Sequence, residues 1–369
     1  MTERPITANV LRIPTKGPGD VSGLMALIEG GKVAASEIVA VLGKTEGNGG
    51  VNDFTREYAV AALREALAPH LGLTPHAVEE RIAFVMSGGT EGVLSPHVTV
   101  FTRGQGADAA EATASGKRLS IGVAQTRDFL PEEIGRAPQI EETAKAVRLA
   151  MRDAKIDDPD DVHFVQIKCP LLTSERVEAA HRRGRKTITA SGYASMGYSR
   201  GASALGVAVA LGEHEHVAED QVLKDWSLSS SVASSSAGIE LMHNVVIVLG
   251  NSAYSSSPFV IGHAVMRDAI DLPAVLQALE SVGLAPADAA MNSRLVNIFA
   301  KAEASPDGAV RGSRHTMLDD TDISSTRHAR AAVGGLIGGV AGTGAVYVSG
   351  GAEHQGPPGG GPVAVIARA

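Results

Sequence analysis

Three serines in this chain stand where an apolar, strand-like run gives way to small residues. Ser87 lies in RIAFVMSGGTEGVLSPHVTVF, Ser234 in SLSSSVASSSAGIELMHNVVIVLG and Ser349 in GAVYVSGGAEHQGPPGGGPVAVIA. A serine hydroxyl is a poor nucleophile until a neighbouring base takes its proton. Each serine has a candidate base upstream: Lys44 ends SEIVAVLGK, Lys168 ends DVHFVQIK and Lys301 ends RLVNIFAK. Burial and a nearby cation lower a lysine's pKa far enough to leave a free amine, and Ser–Lys pairs replace Ser–His–Asp in some hydrolases. Glycines after the serine leave backbone N–H groups open to a developing oxyanion. Between each lysine and serine lies a helix-like segment with an arginine near its start: Arg56, Arg200 and Arg330, with Arg327 a competing choice for the third. In the second copy Ser229, Ser230, Ser231, Ser235 and Ser236 crowd the same turn and leave its register open; Ser234 is taken as its serine.

The recurring order Lys, Arg, Ser implies a repeated scaffold. ANVLRIP, LSIGVAQT and FVIGHAVM read as opening strands, and each precedes an amphipathic segment with apolar residues near i, i+3, i+4 and i+7. The plan per copy is strand, helix, strand ending in lysine, helix with arginine, strand ending in serine, strand. The expected fold is α/β, with three repeat units at 1–105, 112–250 and 256–369 arranged with pseudo-threefold symmetry around one central site. TRGQGADAAEATASGKR and NSAYSSSP are the expected linkers.

Composition narrows the function classes. The 369 residues are 44% hydrophobic and 20% charged, as in an ordinary globular protein. A net charge of −8, with no basic stripe among aromatics, argues against nucleic acid as a partner. Cys169 is the one cysteine, which excludes an intrachain disulfide and suits a reducing cytoplasm. The first twenty residues lack a secretory h-region. Residues 331–348 are uncharged, but glycines split them into a helix-like and a strand-like part, so no membrane span is expected.

Other signals are discounted. Gly43-Lys44-Thr45 is no P-loop, because position 38 is Ile38 instead of glycine. His214 and His216 read as a polar surface loop, and Cys169 as a small buried filler.

The motifs VLGKTEGNGG, VMSGGTEGVLSPH, FVQIKCPLLT, GYASMGYSRGASALG, SSSVASSSAGIEL, STRHARAAVGG and YVSGGAEHQGPPGGGP together resemble the cyanuric acid hydrolase/barbiturase family of ring-opening amidohydrolases, over essentially the whole chain. The resemblance implies hydrolysis of cyanuric acid to carboxybiuret, which loses CO2 to give biuret. Barbiturase chemistry on barbituric acid is the close alternative, and a non-catalytic binder of small anions is the distant one. It implies that Lys168 is the base and Ser234 the nucleophile. Arg56, Arg200 and Arg330, with Ser87-Gly88, Ser234-Ser235 and Ser349-Gly350, would hold the three carbonyls of the cyclic imide. Lys44 and Lys301 would pair with Ser87 and Ser349. It further implies a divalent cation, Mg²⁺ or Ca²⁺, held by Glu303 and by Ala352, Gln355, Gly356, Pro357 and Gly360, and a homotetramer.

Overall fold

The computed structural model describes residues 5–105, 116–285, 291–318 and 323–369. Most of the linker expected at 102–118 lies outside these residues. The fold is mixed α/β, built on three four-stranded sheets of one topology. The first holds β1 (Ile6–Pro14), β2 (Ile38–Thr45), β3 (Ala83–Gly88) and β4 (His97–Gln105), in the order β1-β4-β2-β3. The second holds β5 (Arg118–Gln125), β6 (Val162–Pro170), β7 (Ala233–Gly238) and β8 (Val245–Ser252), in the order β5-β8-β6-β7. The third holds β9 (Phe259–Met266), β10 (Leu295–Ala302), β13 (Tyr347–Gly350) and β14 (Gly361–Arg368), in the order β9-β14-β10-β13. Between β10 and β13 the chain makes a two-stranded hairpin, β11 (Ala309–Val310) and β12 (Ser313–Arg314). In every sheet the strand ending in lysine pairs in parallel with the strand ending in serine.

Alternation along the strands gives each sheet two apolar faces. One face meets its counterparts in a shared core that includes Leu42, Val85 and Phe101 of the first sheet, Phe164 and Ile247 of the second, and Phe299, Tyr347 and Ile366 of the third. Phe299 sits within ring-to-ring distances of 6.3 Å to Phe101, 5.4 Å to Phe164 and 5.6 Å to Tyr347. The other face packs on that sheet's own helices in a separate cluster. The segment Asn251–Pro258 stitches the sheets together: Ser257 Oγ donates to Ala8 O and Ser255 Oγ to Leu119 O, each at 2.6 Å.

The three arginine-bearing helices are Phe54–Leu71, Gly192–Leu211 and Ser325–Ala341. Asp53 and Ser191 cap the first two by accepting from Thr55 N and Ala194 N. All three stop on a left-handed glycine, Gly72, Gly212 and Gly342, where a Cβ would be strained. The uncharged segment at 331–348 divides into the end of the third helix and the start of β13. Among the described residues no helix is long and apolar enough to cross a membrane. Helices at Pro75–Arg81 and Ser174–Arg182 interrupt the expected plan, the first announced by Thr74-Pro75 and the second by Thr173 as N-cap.

Candidate active site

Strand register sets which side chains face one another. In the first sheet Lys44 lies opposite Ser87, and Lys44 Nζ donates to Ser87 Oγ at 3.0 Å. In the third Lys301 lies opposite Ser349, and its Nζ donates to Ser349 Oγ at 3.2 Å, to Ser235 O at 2.9 Å and to Gly350 O at 3.0 Å. In the second sheet the residue opposite Lys168 is Ser236. Ser234 is opposite Gln166, donates to Gln166 Oε1 at 2.9 Å and is fully buried. The expected position of the second serine is therefore corrected by two residues. A shift of two keeps the same face of the strand but moves one layer deeper. Ser235 is displaced with it: its N–H donates to Gln355 Oε1, and Ala237 takes the position that Gly88 and Gly350 hold elsewhere.

Ser87, Ser236 and Ser349 line one cavity of about 30 Å³, together with Gly88, Gly350 and the arginines Arg56, Arg200 and Arg330. The hydroxyls of Ser236 and Ser349 are 3.2 Å apart. Below them lies the fully buried Tyr347, whose phenol is pushed up by burial and drawn part of the way back by the Ser87 and Ser236 hydroxyls. Arg330 is buried and lines the cavity, whereas Arg327 is 40% exposed; the third arginine of the site is Arg330. Cys169 is buried, and burial raises its thiol pKa, which suits a filler and not a nucleophile.

A second set of residues escaped the sequence reading. A glutamate follows each serine by four residues, in SGGTE, SAGIE and SGGAE: Glu91, Glu240 and Glu353. Glu91 accepts from Arg330 Nε at 2.8 Å and from its Nη2, and Glu353 accepts from Arg200 Nε at 2.8 Å and Nη2 at 2.6 Å. These forks hold each guanidinium flat at the cavity edge. Each arginine reaches the serine turn of another sheet: the third helix reaches the first turn, the second helix the third turn. Arg56 of the first helix donates to Ala237 O of the second turn at 3.1 Å. The shared spacing of serine and glutamate is the signal that would have fixed Ser236 from sequence.

The three lysines are 1% exposed or less. Burial is the main cause that lowers all three. Arg330 and Lys301 push Lys44 further down, and Glu91 opposes them. Lys301 falls to about 7, helped by Arg200. Lys168 is also lowered by burial and by Arg56, against the pull of Glu240. Each lysine is thus biased towards the free amine that a general base requires.

Of the residues expected to hold a cation, Glu303 and Ala352 meet directly. Glu303 accepts from Ala304 N at 3.0 Å and from Ala352 N at 3.1 Å. Burial, and next the charge of Glu353, push its carboxyl up. Ala352 O and Pro357 O each accept one turn hydrogen bond, from Gln355 N and Gly360 N, and keep a free lone pair. The side chain of Gln355 is spent on Ser235 N and Gly351 O, so that residue has only its carbonyl to offer. Among the described residues there is no group of three or more His, Cys, Asp or Glu side chains around a common point.

Residues 9–368 match the family described as amidohydrolase ring-opening protein. A cyanuric acid amidohydrolase of Bradyrhizobium diazoefficiens is 73% identical over 367 residues, covering 99% of each chain. One from Pseudomonas sp. strain ADP is 62% identical over 363 residues, covering 98% of this chain and 99% of its own. A solved cyanuric acid hydrolase structure superposes with a TM-score of 0.95 at 62% identity, covering 99% of this chain and 100% of its own. Another, from A. caulinodans, gives 0.90 at 50% identity, covering 98% and 99%.

Proposed function

This chain belongs to the family of ring-opening amidohydrolases, and on that premise we propose that it hydrolyses cyanuric acid through Ser236 and Lys168. The observation that carries the reading is the single cavity shared by Ser87, Ser236, Ser349 and three arginines. Cyanuric acid is flat and presents three equivalent carbonyls. Three equivalent clamps, each an arginine with a serine turn, match that shape. The repeated sheet order and the arginines that cross from one unit to the next support three units, 1–105, 112–250 and 256–369, around a pseudo-threefold axis.

In the proposed reaction the Lys168 amine takes the proton of Ser236 Oγ as the oxygen bonds to a ring carbonyl carbon. The carbonyl π electrons move to its oxygen, where an arginine and backbone N–H groups stabilise the charge. When the tetrahedral species collapses, the C–N bond breaks and Lys168 returns its proton to the departing ring nitrogen. Water then cleaves the acyl-serine to carboxybiuret, which loses CO2 to leave biuret. Lys44 and Lys301 orient Ser87 and Ser349 at the other two carbonyls. Glu303, with the carbonyls of Ala352, Gln355, Gly356, Pro357 and Gly360, would hold Mg²⁺ or Ca²⁺. One carboxylate with several carbonyls suits a hard cation. Such an ion would offset the crowding of Glu303 and Glu353 next to Arg200.

The test is a parallel assay of purified protein on cyanuric and barbituric acids, following loss of ring absorbance and release of CO2. Turnover of cyanuric acid is expected. Turnover of barbituric acid alone would overturn the substrate, and turnover of neither would overturn the reading.

A further inference from the structure

The three glutamates of the serine turns do not do the same work. Glu91 and Glu353 each hold an arginine. Glu240 instead places Oε1 2.7 Å from Lys168 Nζ. Arg56, which by analogy would take Glu240, lies 3.7 Å from Asp53 Oδ2 and donates to Gly50 O at 2.6 Å. The lysines of the other two units engage serine hydroxyls and backbone carbonyls. Gly238 makes the contact possible: a Cβ there would stand 2.5 Å from Lys168 Cε and collide with the Glu240 carboxylate.

Glu240 also looks out of the molecule. Its side chain is 37% exposed against 2% for Lys168. It lines a cleft of about 590 Å³ between the helices Phe54–Leu71 and Pro75–Arg81 and the start of β8. That cleft shares no lining residue with the serine cavity. Lys168 lines neither space; it lies opposite Ser236 of the cavity in the strand register, and its Nζ contacts Glu240 of the cleft and, at 3.5 Å, Met86 O.

We propose that Glu240 is a positioning residue that distinguishes the second Ser–Lys pair from the other two, fixing Lys168 and exchanging its proton with water in the cleft. In that exchange the Lys168 ammonium gives one proton to the Glu240 carboxylate, and the resulting acid releases it to water, leaving a free amine and a carboxylate. The inference rests on Ser236 and Lys168 being the reacting pair. The charged groups facing Glu240 are Lys168, Arg56 and Arg176, and in the cleft Glu57, Arg64, His76, Glu79, Glu80 and His243.

The experiment is the pH profile of kcat/KM on cyanuric acid for the wild type, Glu240→Gln and Glu91→Gln. A carboxylate beside an amine favours its charged form, so its removal moves the acid limb down, by about one to three pH units. Glu240→Gln is expected to show that shift with a kcat about tenfold lower, a barrier higher by about 1.4 kcal/mol. Glu91→Gln is expected to raise KM and leave the limb in place. An unmoved limb in Glu240→Gln, or an equal shift in Glu91→Gln, overturns the inference. If Glu240→Gln does not fold, Glu240→Asp serves: the wild-type limb with reduced kcat supports the proposal, and full kcat overturns it. Turnover retained by Ser236→Ala would instead defeat the underlying reading.

Discussion

At the scale of single residues, the site is a contest between burial and charge. Three lysines are buried beside three arginines, and burial wins by holding the lysines towards the free amine. Lys301 binds protons less well folded, at about 7, than at its ordinary 10.5. Between those values the unfolded chain holds more protons, so stability rises with pH. We predict that the urea midpoint climbs from about pH 7 to about pH 8.5, worth on the order of 1–3 kcal/mol; a falling midpoint would contradict it. At higher pH Cys169, whose thiol is raised by burial, works in the opposite sense. Arg330→Lys should raise KM at least about tenfold, because an ammonium cannot keep the fork to Glu91 and face the substrate as well; steady-state kinetics checks this. The recurring order pointed to the lysines, to Arg56 and Arg200 and to Ser87 and Ser349, which the structure gathers at the sheet ends, but order left Arg330 and Arg327 in competition. The second serine was not legible, because six serines crowd one turn and apolar patterning cannot choose a register there. Glu91, Glu240 and Glu353 went unread because an acidic residue in a polar loop looks like ordinary solvated surface.

At the scale of elements, the parallel pairing of the lysine and serine strands does the positioning. It sets Lys44 against Ser87, Lys168 against Ser236 and Lys301 against Ser349 by register; Lys44 and Lys301 then reach their serine hydroxyls, whereas Lys168 reaches Glu240. The opening strands and amphipathic helices were visible from apolar patterning, and the arginine helices from the recurring order of Lys, Arg and Ser. The short helices Pro75–Arg81 and Ser174–Arg182 were missed, since PHAVEER and SERVEAAHR carry too few apolar residues to show a period. Gly238 is a test at this scale. Gly238→Ala should part Lys168 from Glu240 and lower kcat about tenfold or more with little change in KM. A rise in KM alone, measured on folded protein, would mean that the gap serves binding.

At the scale of the whole molecule, the shared core makes the three sheets interdependent. Phe299 touches aromatic neighbours from all three. Phe299→Ala should therefore cost about 3–5 kcal/mol and lower one common transition, seen at the same midpoint by circular dichroism and by Trp226 fluorescence. Separate midpoints would show independent units. A repeated plan of this kind was readable from the recurrence of Lys, Arg and Ser. The asymmetry among the copies was not, because it lies in contacts between distant turns. The central claim is that one serine of the three-sided cavity, Ser236, carries the chemistry. The direct measurement is the turnover of cyanuric acid by Ser236→Ala beside Ser234→Ala, with binding followed by calorimetry. The account predicts that Ser236→Ala loses about 10⁴-fold or more in kcat yet still binds the ring, while Ser234→Ala keeps most of its activity. Loss of turnover in Ser234→Ala with activity retained in Ser236→Ala would contradict it.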